Sequence, residues 1–256
     1  MDKIIKAHHI THEDLNPLKE FTAARIALGR TGTSIPTKQS LEFNLAHAHA
    51  RDAVYSMLDR DALADNLKQF NLPILFLHSK AENRAQYLQR PDQGKKLKKS
   101  STSQLKEHAA DYDVCIIIAD GLSATAVNEN AIGLLQCLIP LLTAAKLKPA
   151  PICLVEQGRV AIADKIAHHL NARLSLILIG ERPGLSAADS VGAYLTYQPK
   201  PGLTDESRNC ISNIRPGGLN YKPASEKIFY LIQEAFRMKL SGVGLKDNQG
   251  LVVDSR

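Results

Sequence analysis

The sequence predicts an α/β fold: a mainly parallel, Rossmann-like sheet flanked by helices, with a helical N-terminal region ahead of it. Two observations carry this. From Leu72 onward, short β-rich apolar runs alternate with longer helical stretches. Those runs are apolar without alternation, as strands covered on both faces are. Before about Gln69 no strand pattern occurs. The chain divides accordingly into a helical region (residues 1–70), an α/β domain (residues 71–242) and a C-terminal tail (residues 243–256).

Each element has its own signal. Leu18 to Leu28 carries apolar residues at helical spacing, closed by Gly29 and Gly32. Thr37 is expected to cap a long second helix reaching about Leu58, with Leu41, Leu45, Ala48, Asp52 and Tyr55 along one face. A short third helix is expected from Asp61 to Phe70. Ile74 to Leu77 is the first strand run. In Tyr87 to Gly94, Pro91 opens a helix as its first residue and leaves Arg90 presented by the preceding turn. Lys95, Lys96, Lys98 and Lys99 read as a solvated helix face.

Val114 to Ile118 is the clearest strand. Ala131 to Ala145 is the longest apolar stretch; it contains Gln136 and Pro140, is too short for a bilayer, and reads as a buried crossover helix. Ile152 to Val155 and Leu174 to Ile179 are the third and fourth strand runs. Ala193 to Tyr197 is more polar and is placed nearer an edge. Arg208 to Gly218 lies outside any clear strand or helix and reads as a polar, glycine-rich loop of the kind that binds ligands. The last helix runs from Pro223 to Leu240, and the residues after Gly242 are expected to be loose.

Composition narrows the function. A hydrophobic share of 44% over 256 residues allows one sizeable core with a small helical annex. The absence of Trp and an aromatic share of 5% argue against a platform for single-stranded nucleic acid, which needs exposed rings. A net charge of +6 is mild at this length. Met1 to Ile10 has no apolar core of a secretory signal. Cys115, Cys137, Cys153 and Cys210 form no CxxC pair, so no structural zinc site is expected, and the pattern fits a reduced cytosolic protein.

Three strand ends draw attention to chemistry. They read Ala119-Asp120-Gly121-Leu122-Ser123, Glu156-Gln157-Gly158-Arg159-Val160 and Gly180-Glu181-Arg182-Pro183-Gly184. Each passes into a carboxylate beside a glycine. In open α/β sheets ligands bind beyond the carboxyl ends of the strands, and glycine there allows close approach to backbone. The three ends are expected to form one polar ligand rim. No GxGxxG follows a strand, no Walker loop surrounds Gly94-Lys95, and no GxSxG elbow occurs. The histidines at 8, 9 and 12, at 47 and 49, and at 168 and 169 lack HExxH spacing and read as surface or capping residues.

Taken together these segments resemble the ethanolamine ammonia-lyase small-subunit family. The matching stretches are Thr22 to Gly32, His47 to Val54, Arg90-Pro91-Asp92-Gln93-Gly94, Ala119 to Ser123, Gly158-Arg159-Val160, Gly180 to Leu185, and Cys210 to Ile214 with Gly217-Gly218. No single motif is diagnostic; the ordered set, over roughly residues 20 to 240, is specific. The resemblance implies a carbon–nitrogen lyase of large and small subunits using adenosylcobalamin. There a 5′-deoxyadenosyl radical takes hydrogen from ethanolamine, which rearranges and releases acetaldehyde and ammonia. The substrate would sit in the large subunit. The small subunit would help form the cobalamin site, active only with its partner, with contacts at Val160, Glu181 and Cys210. No catalytic residue and no metal ligand is placed on this chain. The DxHxxG motif is absent, in keeping with a family that leaves the cofactor's own base on cobalt.

The expected location is cytoplasmic, with a bacterial microcompartment as the alternative. Family members often carry an N-terminal leader for encapsulation; here the likeness begins near residue 20, so the leader is expected to be largely missing. The competing readings are a stand-alone α/β enzyme binding a nucleotide or small phosphate ligand, and a structural partner without a ligand. The first needs phosphate-binding glycines at a helix start, which are not in place.

Overall fold

A computed structural model describes residues 15–22 and 24–248. His8, His9, His12, Ala23 and the tail residues 249–256 lie outside the described residues. Six strands form one sheet in the order β1-β3-β2-β4-β5-β6: β1 (Ile74–His78), β2 (Tyr112–Ala119), β3 (Ile152–Glu156), β4 (Ala172–Gly180), β5 (Val191–Tyr197) and β6 (Asn209–Ile214). The first four run parallel, with Leu75 opposite Cys153, Ile117 opposite Cys153 on the other side, and Ile116 opposite Leu176. β5 and β6 are antiparallel, with Leu176 opposite Leu195 and Tyr194 opposite Cys210.

The sheet is therefore mixed: its parallel part is as expected, but the two antiparallel pairings of β5 depart from the Rossmann-like sheet expected. Connection length explains the difference. A parallel neighbour needs a crossover of about a dozen residues or more, usually a helix. Residues 181–190 and 198–208 hold no α-helix and return the chain as antiparallel hairpins.

Helices α3 (Arg84–Gln89), α4 (Pro91–Gly94) and α5 (Lys99–Glu107) join β1 to β2; α6 (Ala124–Ala144) joins β2 to β3, α7 (Ile162–His169) joins β3 to β4, and α8 (Tyr221–Met238) follows β6. Alternate residues of β2 feed two cores. Val114, Ile116 and Ile118 pack with α6 and α8, while Cys115, Ile117 and Ala119 pack with α5 and α7. Both faces are covered, hence the unbroken apolar run. α6 is long and apolar enough to cross a membrane by length and composition. Its side chains Val127, Leu134, Leu135, Leu138 and Leu142 are buried in the first core.

Several expectations are corrected. Arg208 to Gly218 is not all loop, because β6 occupies its first half and takes the edge position expected of β5. Its two buried apolar residues, Ile211 and Ile214, stand three apart because the register shifts opposite Val191 and Ala193, with Asn213 at φ 58°. Leu18 to Leu28 is not a helix. A short 3-10 turn (Asn16–Glu20) is followed by extended chain, and Leu18 and Phe21 are exposed. Leu18 and Phe21 thus gain none of the packing that sustains a short helix. The second helix, α1 (Thr37–Tyr55), is capped by Pro36, with Thr37 its first residue. Its apolar residues Leu41, Phe43 and Leu45 are exposed. The helix expected from Asp61 is α2 (Arg60–Leu67), capped by the Asp59 carboxylate on Ala62 N–H. The described part of the C-terminal segment is not loose. Leu245 is buried in the first core, and Asn209 Nδ2 donates to the carbonyls of Gly242 and Leu245.

The last turn of α1 and the two residues after it are hydrogen-bonded to the domain. Arg84 Nε donates to Val54 O at 2.6 Å, Thr125 N to Ser56 Oγ at 3.0 Å, and Asn128 Nδ2 to Met57 O at 3.0 Å. Its end thereby reaches the turn after β2.

Candidate functional site

β2 is followed by α6 on one face of the sheet, and β3 by α7 on the other. Adjacent strands that send their chains to opposite faces leave a crevice between their carboxyl ends. Here the crevice is filled from within. The buried Asp120 carboxylate accepts from Gly121 N (2.9 Å), Gln157 N (2.8 Å) and Gly158 N (3.0 Å), with Arg84 Nη1 3.9 Å away. Burial outweighs these bonds and pushes its pKa up to about 6. Asp120 is thus a brace between two turns and does not face a ligand. Glu156 pairs with Arg60 at 2.9 Å. Of the three strand-end carboxylates expected at a rim, only Glu181 lines a cavity.

Two of the strand-end glycines also serve packing. A Cβ on Gly121 (φ 58°) would lie 2.2 Å from Gly180 O, and one on Gly180 would lie 1.9 Å from Ser123 O. They let the ends of β2 and β4 pack on each other, and both glycines line the first chamber described below.

Beyond these ends lie two adjoining chambers. The first, about 440 Å³, is lined by Tyr87, Leu122, Arg159, Val160, Glu181, Arg182 and Tyr194 among others. The second, about 280 Å³, is lined by Lys95, Arg159, Val160, Ala161, Tyr194, Asp205, Arg208 and Cys210. Arg159, Val160 and Tyr194 belong to both and form the wall between them. Val160 and Glu181 thus meet in the first chamber, and Val160 and Cys210 in the second.

Each of these groups is held from behind. The turn carrying Arg159 and Val160 is fixed by Asp120 and by Arg159 N donating to Gly94 O at 2.9 Å. The Arg159 guanidinium lies over the Tyr87 ring, and its Nε is buried without a hydrogen-bond partner. Tyr87 OH donates to Gly158 O at 3.1 Å; burial, then the Asp120 charge, raises its pKa. Glu181 Oε2 accepts from Ser190 Oγ (2.7 Å) and Asn213 N (3.1 Å), tying the end of β4 to β6. A Cβ on Gly192 would meet the Tyr194 ring at 3.0 Å and Glu181 Oε1 at 3.1 Å, so that glycine makes room for both.

Cys210 is exposed and hydrogen-bonded to Tyr194; its inner surroundings raise the thiol's pKa, the Tyr194 bond opposes this, and the Glu181 charge adds to it. It stays a neutral thiol, suited to packing more than to nucleophilic work. The Tyr194 hydroxyl is raised in turn, by desolvation first.

Arg90, singled out in sequence, is not at the cleft. It bonds Asp92 at 2.9 Å, and that exposed carboxylate is held down to about pKa 2, chiefly by this bond. Tyr87 and Arg208 stand at the start of two segments singled out in the sequence, but neither they nor Tyr194 carry a signal of their own as site residues. Among the described residues no group of three His, Cys, Asp or Glu side chains is placed to hold a metal ion.

Comparison with known proteins gives a consistent likeness. The family model for the ethanolamine ammonia-lyase light chain matches residues 12–246, beginning ahead of the residue 20 expected. A protein of Pseudomonas aeruginosa (strain PAO1, ATCC 15692) named ethanolamine ammonia-lyase small subunit is 52% identical over 235 residues, covering 90% of this chain and 86% of that protein. One of the same name from Azotobacter vinelandii (strain DJ) is 52% identical over 241 residues, covering 93% and 89%. Another from Pseudomonas putida (strain W619) is 51% identical over 234 residues, covering 90% and 86%.

Proposed function

The chain belongs to the ethanolamine ammonia-lyase light-chain family, and from that premise we propose that it is the small subunit of an adenosylcobalamin-dependent enzyme, a carbon–nitrogen lyase active only with its large subunit. We propose further that the two-chambered cleft forms this chain's part of the cobalamin site at the subunit interface. One observation carries the reading: Val160, Glu181 and Cys210, far apart in sequence, line two chambers that share a wall.

The residues present fit the group. Corrin side chains end in amides, which offer both donors and acceptors. The cleft answers with an acceptor in Glu181 and with the Arg159 side chain, which lines both chambers. The Val160 side chain and the Tyr194 ring give apolar surface for the macrocycle's edge. Chambers of 440 and 280 Å³ are too small to enclose a corrinoid alone. That suits a site closed by a second chain.

When bound, adenosylcobalamin supplies the radical that starts the conversion of ethanolamine to acetaldehyde and ammonia. This chain's residues bind and orient. Glu181, braced by Ser190 and the Asn213 amide, holds an acceptor at fixed height above the end of β4. Arg159, laid on Tyr87, holds its side chain at the wall both chambers share. Preorganised groups of this kind bind without a reordering cost. The exposed Leu41, Phe43 and Leu45 of α1 are apolar surface that we assign to assembly with the large subunit. Four free cysteines accord with a cytoplasmic location.

The test is co-expression with a large subunit from the same source and an acetaldehyde assay with and without adenosylcobalamin. Activity requiring both chains and the cofactor supports the reading. A soluble, assembled, cofactor-supplied complex without activity sinks it.

A further inference from the structure

The most deeply buried ion pair among the described residues joins Asp164 to Arg208, with both side chains at most 3% exposed and Nη2 2.5 Å from Oδ2. Asp164 stands on the first turn of α7, four residues after Val160. Arg208 stands two residues before Cys210 and itself lines the second chamber. Its guanidinium gathers the turn before β6: Nη1 donates to Thr204 O and, at 3.2 Å, to Asp205 Oδ1, and Nη2 reaches Leu203 O at 3.4 Å. One planar fork therefore fastens residues 203–205 to α7.

Stability is a poor explanation for this pair. Burying two ions costs several kcal/mol each before their attraction is counted, and an apolar pair of the same volume often serves as well or better. The satisfaction here is also incomplete, since Asp164 Oδ1 and Arg208 Nε are buried without partners. An arginine fork does provide direction, which apolar contact does not.

We propose that the Asp164–Arg208 pair is a positioning clasp: it fixes the β6 lead-in carrying Cys210 against the turn carrying Val160, and so sets the width of the second chamber. Its bearing on cobalamin rests on the function proposed above. Neither residue acts on substrate; both act through the walls they hold.

The test uses the complex with the large subunit. Hydrogen exchange is followed over residues 203–211 and 160–166, and hydroxocobalamin binding is titrated by absorbance. Three variants are compared: Asp164→Asn, Asp164→Glu, and the apolar double variant Asp164→Leu/Arg208→Met, which keeps the fold measurable should the single amide variant fail to fold. Faster exchange confined to those two segments is expected in Asp164→Asn and in the double variant, with hydroxocobalamin bound about tenfold more weakly. Asp164→Glu, which keeps the charge, should recover most of the affinity. The double variant should be as resistant to heat as the unmodified complex, which separates positioning from stability. Unchanged exchange at 203–211 in the double variant overturns the clasp, whatever hydroxocobalamin does, and so does exchange that rises evenly over the whole sheet. Local exchange that rises while affinity stays constant supports the clasp and counts against cobalamin in this chamber.

Discussion

The guanidinium carbon of Arg159 lies 4.1 Å from the centre of the Tyr87 ring, and its Nη2 donates to the Tyr87 carbonyl at 3.1 Å. A strand-end turn and a helix from a different connection are thus locked together at the wall shared by both chambers. Replacing Arg159 by alanine removes the stacked cation and a side chain that lines both chambers. Hydroxocobalamin binding to the assembled enzyme should weaken by about 1.4–2.8 kcal/mol, about ten- to a hundredfold. Lysine should not rescue it, because an ammonium cannot stack and donate in one plane. Titration of both variants checks this.

Gly94 supports the same arginine from beneath. A Cβ there would lie 2.7 Å from Arg159 Cγ and 3.2 Å from both Gln157 O and the Tyr87 ring. Gly94→Ala should destabilise the chain by ~1–3 kcal/mol through overpacking, read by urea unfolding, and weaken cobalamin binding in parallel.

Asp120 offers a test with a defined sign. An asparagine would place an NH₂ against one of the backbone N–H groups it now accepts, so Asp120→Asn should cost ~2 kcal/mol at pH 7. The carboxyl's pKa is raised by burial from 3.8 to about 6. The folded chain therefore holds this proton more tightly than the unfolded chain. Its stabilising contribution is complete below about pH 4 and lost as pH rises through about 6. Going from pH 7 to pH 5 should stabilise the unmodified chain by ~1 kcal/mol relative to Asp120→Asn. Urea unfolding of the pair at both values measures it; a difference of opposite sign would mean that the three backbone donors keep the carboxylate charged.

At Glu181 the two neutral substitutions should part. A glutamine oxygen can still accept from Ser190 Oγ and the Asn213 amide, whereas alanine removes the acceptor and frees β6 from β4. Glu181→Gln should bind hydroxocobalamin within about threefold of the unmodified enzyme and Glu181→Ala about tenfold more weakly.

What the sequence revealed follows from where side chains are buried. β2 and β4 were legible because both faces of each strand are covered, so Val114 to Ala119 and Leu176 to Ile179 are unbroken apolar runs. β6 was not, because a register shift spaces Ile211 and Ile214 by three and leaves polar residues between them. The resemblance named Val160, Glu181 and Cys210, and the fold sets all three around one cleft. The polar rim was misread at Asp120 and Glu156, whose carboxylates turn inward or to Arg60. Composition cannot separate a carboxylate that faces a ligand from one that holds a turn. The individual parts of Tyr87, Tyr194 and Arg208 were not legible, although Tyr87 and Arg208 open segments that stood out, because their importance lies in what they meet: Arg159, Cys210 and Asp164, each brought near by the fold.

The most direct test is a structure of this chain with its large subunit and cobalamin bound. The account predicts corrin side chains or ring edge within contact distance of Val160, Glu181 and Cys210, with an amide on the Glu181 carboxylate. A corrinoid seated elsewhere, with the two chambers turned away from the interface, would contradict it.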